Sequence, residues 1–396
     1  MAALLRDRPA SSSEMLAVFG DEALLQAALT FEASLARAQA AAKLIPESAA
    51  AAIGAVCDSA RFEVATLAEE AAHAGTLALA LLPRLRARIA EQDAEAARLL
   101  HRGASSQDLA DTALMLQAKA GAHLIQREGR ALTDALARVA ESHARTPALA
   151  RTLLQPALPT TFGLQASQWL LGIHQALQRF AWECRAALLL QLAGAAGTLQ
   201  GLSLEVLERM AAELGLAAPV LPWTARRDGV AGLAGALAVV SGATGKLARD
   251  ISLLAQHEVH EAFEPRISGR GGSSSMSHKR NPTGCQIALS AAIRAPGLAA
   301  GILAGLPQEH QRGLGGWQAE APALATLFEL THGALQAMRV VVEALEVDTV
   351  AMAANLAASG VGDDIGLSIQ LVGRCLDHYR RQCKDSAEPH IHAVHD

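Results

Sequence analysis

Residues 106–144 form a long candidate helix with the sequence SQDLADTALMLQAKAGAHLIQREGRALTDALARVAESHA. Apolar side chains recur along it at helical spacing, among them Leu109, Leu124 and Leu132. A candidate helix of more than about 25 residues indicates a long helical bundle when similar helices accompany it.

The same periodicity predicts helices on both sides of this stretch. They cover residues 21–42, 160–193, 231–263, 283–303, 320–345 and 365–382. Within 21–42, Glu32 and Arg37 lie between the apolar positions, and 160–193 is apolar on nearly every side, which requires burial among other helices. The excess apolar surface predicts that other subunits complete the bundle.

We therefore predict an all-α fold with a long central helical bundle, a small N-terminal helical domain and a shortened C-terminal region. The predicted domains are residues 1–104, 105–347 and 348–396. About fifty residues follow the bundle, and they contain one candidate helix and a charged tail with several histidines.

Composition excludes several classes of protein. Hydrophobic residues make up 51% of the 396 residues and aromatic residues 3%, which disfavours disorder, β-sandwiches and barrels. The formal net charge of −5 lacks the positive field that non-specific nucleic-acid binding requires.

The cysteines and the apolar runs indicate the compartment. Five cysteines are scattered without a CxxC pair, which is typical of reduced thiols rather than disulfides or a zinc site. We recognise no signal peptide, and the low-polarity runs are shorter than the roughly 20 residues of a membrane span. A cytoplasmic protein that binds neither membranes nor nucleic acid is expected.

Residues 271–282, GGSSSMSHKRNP, give the strongest local signal of chemistry. One interpretation is a Gly/Ser linker followed by the basic start of a helix. The alternative is a loop of hydroxyl and backbone N–H groups that ends at Lys279 and Arg280 and closes over an anion. A serine facing cations in such a loop can act as a proton carrier.

GSSSMSHKRNP resembles the signature loop of the fumarase/aspartase superfamily, G-S-x-x-M-x-x-K-x-N. Two further segments agree in the expected order. HRGASSQD, residues 101–108, is similar to H-x-G-x-T-S-x-D, and RTLLQPALP, residues 151–159, is similar to R-T-x-x-Q-x-A-x-P. The resemblance spans about residues 13–355, and it implies a homotetramer whose active sites combine three segments from different subunits.

Within the superfamily the chain most resembles the 3-carboxy-cis,cis-muconate cycloisomerase branch, in residues 101–117, 245–265 and 306–320. Elimination enzymes of the superfamily typically carry a His–Glu pair where this chain has Leu153 and Gln286. Because neither side chain can transfer a proton, the chain departs from the elimination enzymes. Cycloisomerisation tolerates this loss, since the substrate's own carboxylate is the nucleophile.

The resemblance implies roles for particular residues. Ser273 is the expected proton carrier, while Lys279 and Asn281 hold the developing anion. The predicted substrate-binding residues are His101, Ser105, Ser106, Gln107, Thr152, Gln155, Ser274, His278 and Arg312.

Several of these residues also have a purely structural interpretation. Ser105 or Ser106 would serve as an ordinary helix N-cap, and His101 would be a buried, hydrogen-bonded histidine. Arg312 would pair with Glu309, one helical turn earlier.

No metal and no organic cofactor are expected, because no P-loop or dinucleotide fingerprint occurs. His257, His260 and Glu261 have the residue types of metal ligands without the HExxH spacing, and we interpret them as helical neighbours in the bundle.

The expected activity is conversion of 3-carboxy-cis,cis-muconate to a carboxymuconolactone in the breakdown of aromatic acids through protocatechuate and β-ketoadipate. One alternative is a 3-sulfomuconate substrate, with Thr76 and Leu153 lining the difference. Another is a succinyl-substrate lyase of the adenylosuccinate lyase type, and a third is a structural helical tetramer without activity.

Overall fold

The computed structural model describes residues 4–272, 276 and 279–385, and these residues are mainly helical. The all-α prediction is confirmed. In chain order the helices are α1 (Leu4–Asp7), α2 (Ser13–Val18), α3 (Asp21–Ala41), α4 (Glu47–Ser59), α5 (Val64–Ala74), α6 (Leu77–Ala90), α7 (Ala94–Leu99), α8 (Ser106–Ser142), α9 (Phe162–Ala187), α10 (Leu204–Leu214), α11 (Asp228–Leu254), α12 (Thr283–Ala304), α13 (Gly316–Glu343), α14 (Thr349–Ser359) and α15 (Ser368–Asp385).

The chain divides into two compact units. The first unit comprises Met1–Leu124, Phe180–Leu237 and Pro296–Glu329, and the second comprises Ile125–Arg179, Ala238–Ala295 and Leu330–Asp396. The boundaries fall inside the long helices α8, α9, α11, α12 and α13. The three sequence-based domains follow chain order instead, and they stay a prediction.

Short polar side chains fix where several helices begin. Ser12 accepts a hydrogen bond from the backbone N–H of Met15 at the start of α2, and Ser203 accepts one from Val206 at the start of α10. Asp348 accepts hydrogen bonds from two N–H groups of α14. Such caps satisfy donors that the first helical turn leaves unpaired.

Two short antiparallel sheets accompany the helices in the described residues. Strand β1 (Pro147–Thr152) pairs with β2 (Gln155–Thr161), and β3 (Ala262–Phe263) pairs with β4 (Glu346–Val347). Leu153 and Leu154 form the turn between β1 and β2, with φ of 52° and 64°. Positive φ at both central residues is the geometry of a tight two-residue hairpin, in which Asn-Gly is usual and two leucines are strained.

Two predicted helices end earlier than their apolar patterns indicate. The helix predicted over 160–193 ends at Ala187, after which a buried non-helical segment follows and Leu189 bridges Ala217. The helix predicted over 231–263 ends at Leu254, so the interpretation of residues 257–261 as helical neighbours is wrong. Buried apolar residues suit a helix and a buried extended segment equally, because periodicity disappears when every face is covered.

Two helices, Asp228–Leu254 and Thr283–Ala304, are long and apolar enough to cross a membrane by length and composition alone. Core helices of soluble proteins meet the same criterion. Each of these helices contains an apolar stretch of 18 residues, called its apolar window. In α11, 61% of this window is buried within the chain, compared with 28% in α12.

Candidate active site

The first unit presents the predicted residues 101–107 at a turn that leads into α8. Ser105 is the N-cap of α8: its backbone N–H donates to the Asp108 carboxylate at 2.7 Å, and its hydroxyl accepts the Asp108 N–H at 3.3 Å. This reciprocal pairing is a capping box. The capping interpretation of Ser105 is thus confirmed, and its hydroxyl oxygen still faces a second donor.

That second donor is Arg312, whose Nη2 donates to the Ser105 hydroxyl at 3.1 Å and to the carbonyl of Gly194 at 3.2 Å. The alternative pairing with Glu309 is not observed, because the Glu309 carboxylate accepts the Leu314 N–H instead. Two predicted substrate-binding residues, 207 positions apart in sequence, therefore meet at the start of α8. A guanidinium beside a helix N-terminus is an arrangement that can bind a carboxylate.

Asp108 connects the start of α8, a region that we call the corner, to the segment at Ala193 and Gly194. Its buried carboxylate also accepts the backbone N–H groups of Ala193 and Gly194, at 2.9 and 3.0 Å. Burial raises the pKa of Asp108, although the hydrogen bonds from Ser105, Gly194 and Ala193 act in the opposite direction. The position of the corner is therefore fixed by donors from two separate segments.

The neighbouring predicted residues differ in exposure. Gln107 is fully buried, and its Nε2 donates to the carbonyl of Thr224 at 2.8 Å, while its buried Oε1 has no hydrogen-bond partner among the residues that the structure describes. Ser106 is half-buried, and no hydrogen bond of its hydroxyl occurs within the described part of the chain. Contact of either residue with a substrate stays a prediction.

A buried ionic cluster lies one helical turn further along α8. The Arg227 guanidinium donates to both oxygens of Asp111, at 2.8 Å each, and to Glu320 at 2.6–3.1 Å. Burial lowers the pKa of Arg227, but the two carboxylates more than offset that effect and leave it raised. Burial raises the pKa of Glu320 despite the bonds from Arg227. The cluster joins α8 and α13 through Arg227, the residue that precedes α11.

His101 pairs with a residue that the sequence did not single out. Its Nδ1 lies 2.6 Å from Oε1 of Glu32 on α3, and 12% of the His101 side chain and none of the Glu32 side chain is exposed. Glu32 stands between the apolar positions of the α3 sequence, and the structure buries it as fully as Leu29 and Leu35. An acidic residue flanked by buried apolar neighbours is the sequence signal that was available.

The second unit holds the base of the 271–282 loop. The Asn281 N–H donates to the carbonyl of Gly271 at 2.8 Å, and the Asn281 side chain donates to the carbonyl of Gly272 at 3.3 Å. Gly271 has a φ of 72°, and a Cβ there would lie 2.7 Å from the Asn281 carbonyl oxygen. Asn281 therefore closes the loop base as well as being a predicted anion ligand.

Charged residues also hold the base of the 271–282 loop in place. Glu264 accepts the N–H groups of Gly284 and Cys285 at 3.0 and 2.7 Å, which caps the start of α12. Arg280 donates to the Glu264 carbonyl and pairs with Glu346. The side-chain bond from Arg280 lowers the pKa of Glu346. Neither carboxylate was predicted from the sequence, because their hydrogen-bond partners lie 20–66 residues away.

A cavity of about 800 Å³ opens beside the loop base. It is lined by Arg249, Ser252, Gly271, Gly272, Asn281, Pro282, Thr283, Cys285, Gln286, Leu289, Ser290, Ile293 and Arg294. The lining contains two arginines and no carboxylate, so its charge suits an anionic ligand. A second cavity, of about 260 Å³, contains Lys279 together with Asn281, and it adjoins Arg266, Arg270 and Arg280.

Thr152 and Gln155 face each other across the strained turn of the β1–β2 hairpin, where both are exposed. Arg151 anchors the hairpin by donating to both oxygens of the buried Glu261, at 2.9 and 2.6 Å. Neither Thr152 nor Gln155 belongs to the lining of the two cavities beside the loop base. Their predicted contact with a substrate stays a prediction.

The predictions for Ser273, Ser274 and His278 lie outside the described residues. Among the residues that are described, no group of three or more His, Cys, Asp or Glu side chains is arranged to hold a metal ion.

Comparison with known proteins gives a family and a set of relatives. The family model described as lyase matches residues 8–297. A 3-carboxy-cis,cis-muconate cycloisomerase of Bradyrhizobium diazoefficiens is 46% identical over 352 residues, which cover 88% of this chain and 78% of the relative.

Solved structures agree with that result. The 3-carboxy-cis,cis-muconate lactonizing enzyme from Pseudomonas putida has a TM-score of 0.85 and 39% identity, over 96% of this chain and 88% of that one. A fumarate lyase from Mesorhizobium sp. BNC1 has a TM-score of 0.80 and 31% identity, over 95% and 88%. The fold and these matches together place the chain in the lyase family of the fumarase/aspartase superfamily.

Proposed function

We propose that this protein is a cycloisomerase that converts 3-carboxy-cis,cis-muconate to a carboxymuconolactone. The observation that carries the proposal is Gln286, which lines the large cavity beside Asn281 where elimination enzymes of the superfamily are expected to have a glutamate. Leu153, at the other expected position, is 96% exposed at the hairpin turn. The names of the relatives, at 42–46% identity, support the same reaction.

Ring closure needs a positioned substrate, a stabilised anion and one proton. A carboxylate of the muconate attacks the diene, a C–O bond forms, and the electron pair moves to the neighbouring carbon and its carboxylate. In our proposal Lys279 and Asn281 stabilise this aci-carboxylate, and Ser273 delivers the proton to the carbon. Lys279, which is exposed, and Asn281 both lie at the base of the 271–282 loop, where backbone hydrogen bonds hold the chain in place.

The remaining carboxylates need ligands that are held in place before the substrate arrives. The Ser105–Arg312 pair at the start of α8 supplies a hydroxyl and a guanidinium. The capping box and Asp108 hold Ser105, so binding does not have to order this corner.

The direct test follows the ultraviolet absorbance of the diene, which disappears when the ring closes. We expect the wild-type protein to abolish it, and Ser273→Ala to lower kcat by roughly 10² or more. Ser203→Ala is the control, because it removes a serine that caps α10 in the first unit. Full activity of Ser273→Ala would show that another group carries the proton.

Parallel assays separate the alternative substrates. Turnover of 3-sulfomuconate in preference to the carboxy compound would move the assignment to that analogue. Cleavage of adenylosuccinate without muconate turnover would replace cycloisomerisation by elimination. A folded protein that turns over none of the three would support a structural role.

Our proposal also includes a homotetramer with active sites shared among subunits, located in the cytoplasm, in the breakdown of aromatic acids. The apolar surface of α12 supports the assembly: 28% of its apolar window is buried within the chain, and Ile293 and Leu303 are 74% and 49% exposed. A surface of this kind marks a protein–protein interface.

A further inference from the structure

We propose that Glu32 is a positioning residue that holds the His101 imidazole with Nε2 presented to a carboxylate of the bound substrate. The identity of the ligand rests on the proposed function. The role of Glu32 rests on contacts inside the first unit and can be tested without turnover.

The first observation is the geometry of the pair. The Glu32 Oε1 to His101 Nδ1 distance is 2.6 Å. An ionised carboxylate only accepts hydrogen bonds, so Nδ1 carries the hydrogen and Nε2 is the nitrogen left for another partner. Nε2 makes no hydrogen bond within the described residues. Because the buried polar atoms that lack a partner do not include Nε2, this nitrogen is accessible.

The second observation is the cost of placing Glu32 where it is. Its side chain is fully buried within the chain, and its Oε2 has no hydrogen-bond partner among the described residues. A buried carboxylate with one partner destabilises a fold, whereas an apolar residue at this position of α3 would not. The presence of a glutamate at position 32 is therefore explained by its hydrogen bond to His101, which orients the imidazole.

The third observation is the backbone around His101. His101 has a φ of 61°, a left-handed conformation that costs a residue with a Cβ, and such strain concentrates at functional sites. Gln39, two helical turns after Glu32 on α3, donates to the carbonyl of Arg102 at 2.7 Å. One buried face of α3 thus holds both the ring and the backbone of this turn, four residues before Ser105.

The pair has a direct consequence for protons. When Nε2 meets a substrate carboxylate, both neighbours of the ring are acceptors, so the ring needs a hydrogen on each nitrogen. A ring that is neutral before binding takes up one proton from water as the ligand binds. The imidazolium then forms a charge-assisted hydrogen bond with the bound carboxylate.

Other titratable groups near the pair do not supply this proton. Burial and the nearby Glu32 charge raise the pKa of the Cys57 thiol, on α4, to about 12, so it stays neutral. The Arg102 guanidinium donates to the carbonyl of Leu44.

The test compares wild type with Glu32→Gln, and it uses Glu213→Gln as the control. Glu213 pairs with Arg37, so the control also removes a carboxylate bound to α3. Nitrogen NMR of histidine-labelled protein, with the His101 signal identified by its loss in His101→Gln, should show hydrogen on Nδ1 in wild type and in the control. In Glu32→Gln that preference should be lost.

The second readout is calorimetry with tricarballylate, a tricarboxylate that cannot cyclise, at pH 8 in buffers of different ionisation enthalpy. We expect wild type to take up more protons on binding than Glu32→Gln does, and the variant to bind roughly ten- to hundredfold more weakly. Glu32→Asp, which retracts the carboxylate by one methylene, should fall between them and serves if Glu32→Gln does not fold.

Unchanged nitrogen shifts and unchanged proton uptake in Glu32→Gln or Glu32→Asp would overturn the proposal. Because neither readout requires catalysis, a wild type that binds tricarballylate and leaves muconate unchanged would remove the proposed function and still decide the role of Glu32.

Discussion

The Arg227 guanidinium has 1% of its side chain exposed, and its charge is balanced by two carboxylates, Asp111 on α8 and Glu320 on α13. Trp223 adds a ring face 4.6 Å from the guanidinium carbon. Removing one member of a buried charged group destabilises strongly because the others stay buried and unpaired. The neighbouring Arg226 forms an exposed pair with Asp228, which contributes little.

Arg227→Leu is therefore predicted to lower the free energy of unfolding by roughly 3–5 kcal/mol at neutral pH, whereas Arg226→Leu changes it by less than about 1 kcal/mol. The loss should shrink as the pH falls below neutral. In wild type, burial raises the pKa of Glu320 and Arg227 lowers it, so without Arg227 the folded state binds a proton at a higher pH than the wild-type fold does. Urea unfolding at pH 7.5 and 5.5 measures both effects, and equal losses for the two variants would contradict the prediction.

Residue types in a motif were predictable, and their buried partners were not. Ser105 and Arg312 were identified from the sequence, and the structure brings them together. Glu32 and Arg227 bind partners that are 69 and 93–116 positions away, and no local pattern reports such a distance. A charged residue within an apolar helix is predicted to face solvent by default. The burial of Glu32 in α3 is therefore not predicted from the sequence of the helix.

At the level of elements, the loop base depends on two glycines that differ in their surroundings. Gly271 and Gly269 both have positive φ, at 72° and 77°. A Cβ at Gly271 would lie 2.7 Å from the Asn281 carbonyl oxygen, whereas a Cβ at Gly269 would meet nothing within 4 Å. Substituting each glycine in turn therefore distinguishes the effect of backbone strain, common to both positions, from displacement of Asn281, which is expected only at Gly271.

We predict that Gly271→Ala lowers kcat/KM by roughly tenfold or more, because it displaces Asn281 and with it the adjoining Lys279. Gly269→Ala should reproduce the cost in stability, about 1 kcal/mol, with kcat/KM close to wild type. Kinetics with 3-carboxymuconate and urea unfolding provide the two measurements. Equal losses of kcat/KM in both variants would mean that strain alone is responsible.

The cap of α14 gives the fold an acid-sensitive element. Hydrogen bonds from the backbone of α14, chiefly the Ala351 N–H, hold the pKa of Asp348 below its ordinary value. A carboxyl with a lowered folded-state pKa contributes stability above its unfolded pKa of about 3.9, and this contribution is lost as the pH falls through the folded value.

Asp348→Asn keeps a capping oxygen without the titration. Its melting temperature should lie below that of wild type at pH 7, and the difference should narrow as the pH falls below about 4. Circular dichroism melts across this range test the prediction. A constant difference from pH 7 to pH 3 would exclude Asp348 as a source of acid sensitivity.

The positions of the long helices were predicted well, and their ends were not. The predictions 106–144 and 283–303 correspond to Ser106–Ser142 and Thr283–Ala304. Past Ala187 and Leu254 the chain remains buried and apolar in part but leaves the helix, because Leu189 pairs with Ala217 and because β3 pairs with β4. Pairing with a distant segment overrides local periodicity.

At the level of the whole molecule, the two apolar helices are buried to different degrees. Within the chain α11 has most of its apolar window covered, and α12 has little of it covered. If subunits cover α12, a charge on that helix should be tolerated by the protomer and opposed by the assembly.

Leu303→Asp is predicted to shift the protein from the proposed tetramer to smaller species at micromolar concentration, as measured by analytical ultracentrifugation. Leu5→Asp is the control, because Leu5 is 99% exposed and lies on the short helix α1. An unchanged sedimentation coefficient for Leu303→Asp would place the subunit contacts elsewhere.

The two leucines at the hairpin turn have an evolutionary consequence. Leu153 and Leu154 are 96% and 74% exposed within the chain, so exchanging them sacrifices little internal packing. Mutation can therefore sample imidazole, amide or hydroxyl groups at this turn while the protomer keeps its architecture. A scaffold with such a permissive position can diverge in chemistry faster than it diverges in shape.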